Sequence, residues 1–358
     1  MQTVINGIGA IDPILCEGII SDIKNGYPFS EISITISENL FLHGDYYRSI
    51  SILDTLLTRD LDSEGEFFRG RIHKLLGDNY FTQGKLDLAE SEYQRAKLIF
   101  DGYPSALCRI YLDLGNIALQ RSDWKTMDEF YDLAEIGFTS ENASDLLADL
   151  EINRGTSLCL RGDYETALDH FNKAVSVIQS KKDAGRLGSC YLDIAIAQME
   201  LNCLQEAMES IRLALGHAQE AMDANLELTV YISRVKLSLY LRDLMVAQYY
   251  AEMSLEMAEN MGNEFSKAEI YKQLGEIARE DGKYEDSMGW LKKAVELSRK
   301  IDNRSTLAES LIEMGRLFVE KNDIENAKKR LLEAKEIAKK FRLENIFNRS
   351  TDILEEIN

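Results

Sequence analysis

Apolar side chains recur along this chain at helical spacing, as in Leu76, Tyr80, Leu88 and Tyr93. Turn residues interrupt the runs at Gly44, Gly84, Gly162, Asn202, Gly282 and Asn322. Apolar positions three and four apart give a helix one greasy stripe. Glycine and asparagine are the residues that most readily end a helix in the left-handed conformation. The pattern predicts amphipathic helices joined in pairs as helix–turn–helix hairpins.

The pairs repeat. The segments GKLDLAESEYQRA (84–96), GDYETALDHFNKA (162–174), GKYEDSMGWLKKA (282–294) and NDIENAKKRLLEA (322–334) share a turn residue at the start, a small residue five positions on and a closing alanine. One ladder of mostly small residues runs Ser49, Ala89, Met127, Ala167, Ala207, Ala247, Ser287 and Ala327, with steps of 40 apart from one of 38. A second runs in phase through Leu56, Ala96, Ala134, Ala174, Ala214, Ser254, Ala294 and Ala334. A third lies upstream at Ser37, Gly77, Gly115, Gly155, Ala195, Val235, Gly275 and Gly315. Small residues at fixed points let helices cross closely. A lone hairpin cannot bury its apolar face, so hairpins of this kind stack. The expected fold is all-α, about eight stacked hairpins over residues 30–341. The first copy is the weakest, because Ile32, Ile34 and Ile36 alternate like a strand; its register predicts a helix. Capping helices are expected within 1–29, on the stripe Ile11, Ile14, Leu15, Ile19 and Ile23, and within 342–358, on Leu343, Ile346, Phe347, Ile353, Leu354 and Ile357.

These residues resemble the tetratricopeptide repeat. The second copy carries the pattern best, with Leu76-Gly77, Tyr80, Gly84, Ala89, Tyr93 and Ala96. The 40-residue period exceeds the roughly 34 residues usual for that family. It is similar to the extended variety of cell-polarity adaptors and of the sensor halves of bacterial regulators. Ala195 and Val235 depart from the glycine of the third ladder, and Arg242 from the glycine of the turn. The resemblance implies a right-handed superhelical α-solenoid whose first helices line a concave groove. It places Arg71, Lys74, Asp78 and Phe81 of repeat two in that groove, with Arg109, Leu112, Asn116 and Leu119 of repeat three. Asn153, Thr156, Ile196, Met199, Lys236, Leu239 and Tyr240 follow in repeats four to six. Repeats seven and eight bring Glu269, Lys272, Glu276, Arg279, Glu309 and Arg316. Helical spacing independently sets Lys74, Asp78 and Phe81 on one face. For the apolar members the alternative is packing between adjacent repeats. The lysine–asparagine–arginine carboxylate clamp found in one subtype is excluded, since Asp78 and Asp113 stand where it needs amides.

Composition narrows the function. Only three prolines occur (Pro13, Pro28 and Pro104), so nothing beyond residue 104 forbids helix. A net charge of −20 repels phosphate backbones and anionic lipid, so neither nucleic acid nor membrane is an expected partner. No run of 18 apolar residues and no basic leader appears, which points to the cytoplasm. Five scattered cysteines read as small core residues in a reducing compartment. The four histidines fall in four different repeats, and no phosphate loop, nucleophile elbow or dinucleotide fingerprint is found. No catalysis and no cofactor are expected. The chain reads first as a scaffold or adaptor that binds a peptide or protein segment in its groove. The second reading is a peptide- or ligand-responsive regulatory sensor whose solenoid changes pitch. Apolar groove residues also leave room for a homodimer.

Overall fold

The computed structural model describes residues 30–42, 45–58, 65–341 and 343–357. The segment expected to cap the N-terminus, together with His43 and Gly44, lies outside the described residues. Two compact units divide at Ala143 and Ser144. The first holds α1 (Ser30–Leu42), α2 (Tyr46–Leu57), α3 (Glu66–Thr82), α4 (Leu86–Ile99), α5 (Pro104–Gln120) and α6 (Trp124–Ser140). The second holds α7 (Ser144–Leu160), α8 (Tyr164–Lys181), α9 (Ala184–Glu200), α10 (Leu204–Glu220), α11 (Ala224–Tyr240) and α12 (Leu244–Met261). It continues with α13 (Glu264–Glu280), α14 (Tyr284–Lys300), α15 (Arg304–Glu320), α16 (Ile324–Lys340) and α17 (Glu344–Glu356). The described residues contain no strand, so the chain is all-α and built of consecutive hairpins. No described helix is long and apolar enough to cross a membrane.

Helix boundaries are set by a device finer than the 40-residue period. A left-handed residue recurs at twenty-residue intervals: Ser122, Asn142, Gly162, Lys182, Asn202, Met222, Arg242, Gly262, Gly282, Asp302 and Asn322. The residue that follows opens the next helix. Asp123, Asp163, Asp183, Asp223, Asp243, Asn263, Asn303 and Asp323 each accept the backbone N–H three positions on. Such caps satisfy amides that the first turn leaves without partners.

Within a hairpin the third ladder is a steric requirement. A Cβ at Gly77 would lie 2.4 Å from Tyr93 Cε1, one at Gly155 2.5 Å from Phe171 Cε1, and one at Gly275 2.6 Å from Leu291 Cγ. Repeat six inverts the sizes. Val235 stands in the glycine place, and Ala251 occupies the place of the large residue; both are fully buried. All eight members of each of the other two ladders are fully buried as well. The Ile32–Ile36 stretch is helical, in α1, because Ser33, Ile34, Ser37 and Leu40 form its buried stripe while Ile32 faces outward. α17 packs Ile346 and Leu354 onto the core of the last hairpin, with Leu343, Phe347, Ile353 and Ile357 alongside.

Two sequence expectations need correction here. Leu88, expected to pack, is half exposed on α4, because the inward stripe of that helix is Ala89, Tyr93 and Ala96. Of the cysteines, Cys108 and Cys190 are buried as expected, but Cys203 is exposed at the start of α10 and Cys159 is only half-buried.

Candidate functional site

In the second unit, first helices touch the first helices of the next hairpin: α9 meets α11, α11 meets α13, α13 meets α15, and α15 meets α17. Their shared face forms a groove of about 580 Å³. Glu200 lines it from the end of α9, and Lys236, Leu239 and Tyr240 from α11; Glu269, Lys272, Gln273, Glu276 and Glu280 line it from α13. α15 adds Thr306, Glu309, Glu313 and Arg316, and α17 adds Asn345 and Arg349. The side chains on α13 recur at three- and four-residue intervals, which is what places them on one face.

The wall is densely paired. Lys236 Nζ donates to Glu200 Oε1 at 2.8 Å, and the Tyr240 hydroxyl donates to the same oxygen at 3.2 Å. Burial, with Glu200 beside it, pushes the Tyr240 phenol up to about 12. Lys272 is wedged between Glu269, at 2.6 Å, and Glu309 on the next hairpin. Burial opposes its charge, but those two carboxylates outweigh burial and hold the ammonium above its usual range. Glu313, 3% exposed, meets Arg316 at 3.0 Å, Arg279 at 3.4 Å and Arg349 at 3.6 Å. Glu276 is different. Burial, and then the charge of Glu313, pushes its carboxyl up to about 7.

Of the residues the sequence assigns to a groove, Lys236, Leu239 and Tyr240 come together here with Glu269, Lys272, Glu276, Glu309 and Arg316. Arg279 is instead buried, held by Glu280, Glu313 and Glu320. Asn345 and Arg349 escape sequence reasoning, because the terminal helix reads only as a cap. Gln273 and Glu313 escape it too, although a signal for them exists. Two positions before the third ladder the chain carries Asp113, Asn153, Asp193, Ser233, Gln273 and Glu313, a polar row where a packing helix would carry leucine. Ser233, Gln273 and Glu313 are buried, and burial alone pushes Asp193 up to about 6. Gln273 Nε2 donates to the Ile232 carbonyl at 3.1 Å, tying α13 to α11.

The remaining predicted residues have other placements. Met199, expected in the groove, is 1% exposed and belongs to the core with Leu192, Ile211 and Val230. Ile196 is half-buried against that same core, so packing between hairpins claims both. Leu112 and Leu119 are likewise buried. Asn153 is half-buried on α7, and Thr156 donates its hydroxyl to the Ile152 carbonyl at 3.0 Å. In the first unit Lys74 Nζ donates to Asp78 at 2.8 Å and lies 3.5 Å from Asp113. Burial pushes Asp113 up to about 6, and Lys74 opposes the shift. The Tyr93 hydroxyl donates to Asp78 at 2.9 Å, and the Tyr131 hydroxyl donates to Asn116 at 2.7 Å. Each tyrosine also covers a ladder glycine, so Asp78 and Asn116 tie their own hairpins together. Arg71 pairs with Glu31 at 2.9 Å, Phe81 packs against the Tyr93 and Ile110 cluster, and Arg109 is exposed.

Residues 266–340 match a family model described as tetratricopeptide repeat, and residues 154–236 match one described as anaphase-promoting complex subunit 5. No curated protein matches the chain in sequence. Among solved structures, it is similar to a Rap protein complexed with competence and sporulation factor, with a TM-score of 0.69, 12% identity and 92% of each chain covered. It is similar to the apo form of the quorum sensor NprR from B. thuringiensis, at 0.64 and 14% identity, over 90% of this chain and 91% of that one. A third is the Rap conjugation gene regulator of the plasmid pLS20 in complex with the Phr* peptide, at 0.55 and 15% identity, over 92% of this chain and 96% of that one. At such identities the likeness concerns the fold.

Proposed function

The chain is a repeat protein of the tetratricopeptide type, and we propose that it binds a peptide, or an extended segment of a partner protein, in the groove of α11, α13, α15 and α17. The observation that carries this reading is the groove itself, a channel walled by α11, α13, α15 and α17 with Glu200 of α9 at its edge. Its side chains combine ion pairs with the apolar surfaces of Leu239 and the 42% exposed Tyr240. A helical face held only for packing would be apolar and closed; an open face with ordered polar groups suits a ligand that brings both kinds of side chain. The role that follows is that of a scaffold or adaptor working by binding, without catalysis.

Affinity capture from native lysate tests this, with the wild-type chain and a Leu239→Glu/Tyr240→Ala variant as baits. Both side chains lie in the groove outside the ladders, and circular dichroism confirms that the variant folds. A partner held by the wild type and released by the variant supports the reading. Equal capture moves the site elsewhere.

A second reading is regulatory, and the likeness to NprR and to the Rap conjugation regulator favours it. In it, the groove ligand changes the spacing of the hairpins and so controls a partner. Solution scattering with and without ligand separates the two: compaction speaks for the sensor, an unchanged profile for the scaffold.

A further inference from the structure

Glu276 lies at the centre of the groove face of α13, one turn from Lys272 and Gln273 and one turn from Glu280. Every cation in the wall already has a carboxylate. Lys236 faces Glu200, Lys272 faces Glu269 and Glu309, and Arg316 and Arg349 both face Glu313. The wall holds six glutamates against two lysines and two arginines. Glu280 has Arg279 at 2.7 Å. Among the described residues, Glu276 is the groove carboxylate with no cation in ion-pair range.

A second observation points the same way. Gln273 is 4% exposed, and its Nε2 is committed to the Ile232 carbonyl, while its Oε1 has no donor. Glu313 Oε2 is buried without a hydrogen-bond donor as well, although the Arg279 guanidinium lies 3.4 Å from it. Buried acceptors without donors are costly, so a wall that keeps them is complementary to something donor-rich.

We propose that the groove receives a cationic side chain of the bound segment, an arginine or a lysine, at Glu276, with Gln273 Oε1 as a further acceptor. This rests on the groove being the peptide site. A guanidinium offers five N–H donors and a permanent charge, which suits a cluster of acceptors better than any neutral group does. A segment bringing carboxylates finds each cation taken and meets the charge of Glu276. The raised Glu276 carboxyl fits an empty receptor: a cation in the groove restores its ionised form.

The test equilibrates an equimolar library of random, end-blocked short peptides with the full chain and sequences the retained fraction. High ionic strength suppresses the long-range field of this acidic chain. Glu276→Gln, Glu276→Lys and Leu239→Glu/Tyr240→Ala variants run in parallel. The expected result is a several-fold enrichment of arginine or lysine at one position, lost in Glu276→Gln and replaced by aspartate or glutamate in Glu276→Lys. Should the lysine variant fail to fold, the isosteric glutamine variant carries the comparison. Peptides retained without cation enrichment, or with enrichment unchanged in Glu276→Gln, overturn the inference and leave the groove reading standing. No retention at all, or full retention by the Leu239/Tyr240 variant, overturns both.

Discussion

Glu276 and Glu313 face one groove from adjacent first helices, yet Arg279, Arg316 and Arg349 all pair with Glu313. Among the described residues Glu276 has no ion-pair partner, and burial, then the like charge of Glu313, pushes its carboxyl up to about 7. Lys272 and Arg279 from α13 and Arg316 from α15 oppose the shift without abolishing it.

That difference makes stability depend on pH. The folded chain holds the Glu276 proton more tightly than the unfolded chain does. Its contribution is complete below the unfolded carboxylate pKa and is lost as pH rises through about 7. Glu276→Gln should resist denaturant by about 1–3 kcal/mol more than the wild type at pH 8, with the gain vanishing towards pH 5. Chemical denaturation at the two pH values checks this; an equal effect at both would contradict the burial of Glu276.

Buried Lys272 is held by two carboxylates from different hairpins, so removing it strands both. Lys272→Ala should cost about 3–5 kcal/mol. A Lys272→Met/Glu269→Gln/Glu309→Gln triple variant should recover most of the loss, because it leaves no uncompensated charge. Urea melts of the two variants give the answer.

The exchange of sizes at Val235 and Ala251 predicts a rescue. Gly275→Val alone drives a side chain into Leu291, whose Cγ would lie 2.6 Å from the new Cβ, and should cost about 2–3 kcal/mol. Adding Leu291→Ala reproduces the pairing of repeat six and should return part of that cost, a non-additive result readable in a double-mutant cycle.

Met222 holds a left-handed turn with φ 52° while 90% exposed. It loses no packing if replaced, and a side chain in that conformation is strained. Met222→Gly should therefore stabilise the chain by about 0.5–1 kcal/mol, against the greater freedom of glycine when unfolded. A lower melting midpoint would show that the turn is not what limits this hairpin.

Much of this was readable in the sequence where one physical cause acts on one position. The ladders at Gly77, Gly155 and Gly275 were legible because only a small residue fits beneath a second-helix ring or leucine. That Lys236, Leu239, Tyr240 and Glu276 share one first-helix face was implied by the resemblance to the tetratricopeptide repeat, whose positions recur from copy to copy. Met199 was not, since the same helical spacing serves a groove and a hairpin core, and only packing distinguishes them. Arg349 escaped because α17 is a cap and a groove wall at once. Gln273 and Glu313 were hidden among 61 acidic residues and many amides until burial singled them out.

The most direct test of the groove as the binding surface is photo-crosslinking in native lysate. A benzophenone side chain is placed at Leu239, in the groove on α11, or at Tyr249, exposed on the second helix α12. A partner crosslinked from position 239 and absent from position 249 is the predicted result. Crosslinking from position 249 alone would place the binding surface on the second helices and contradict the account.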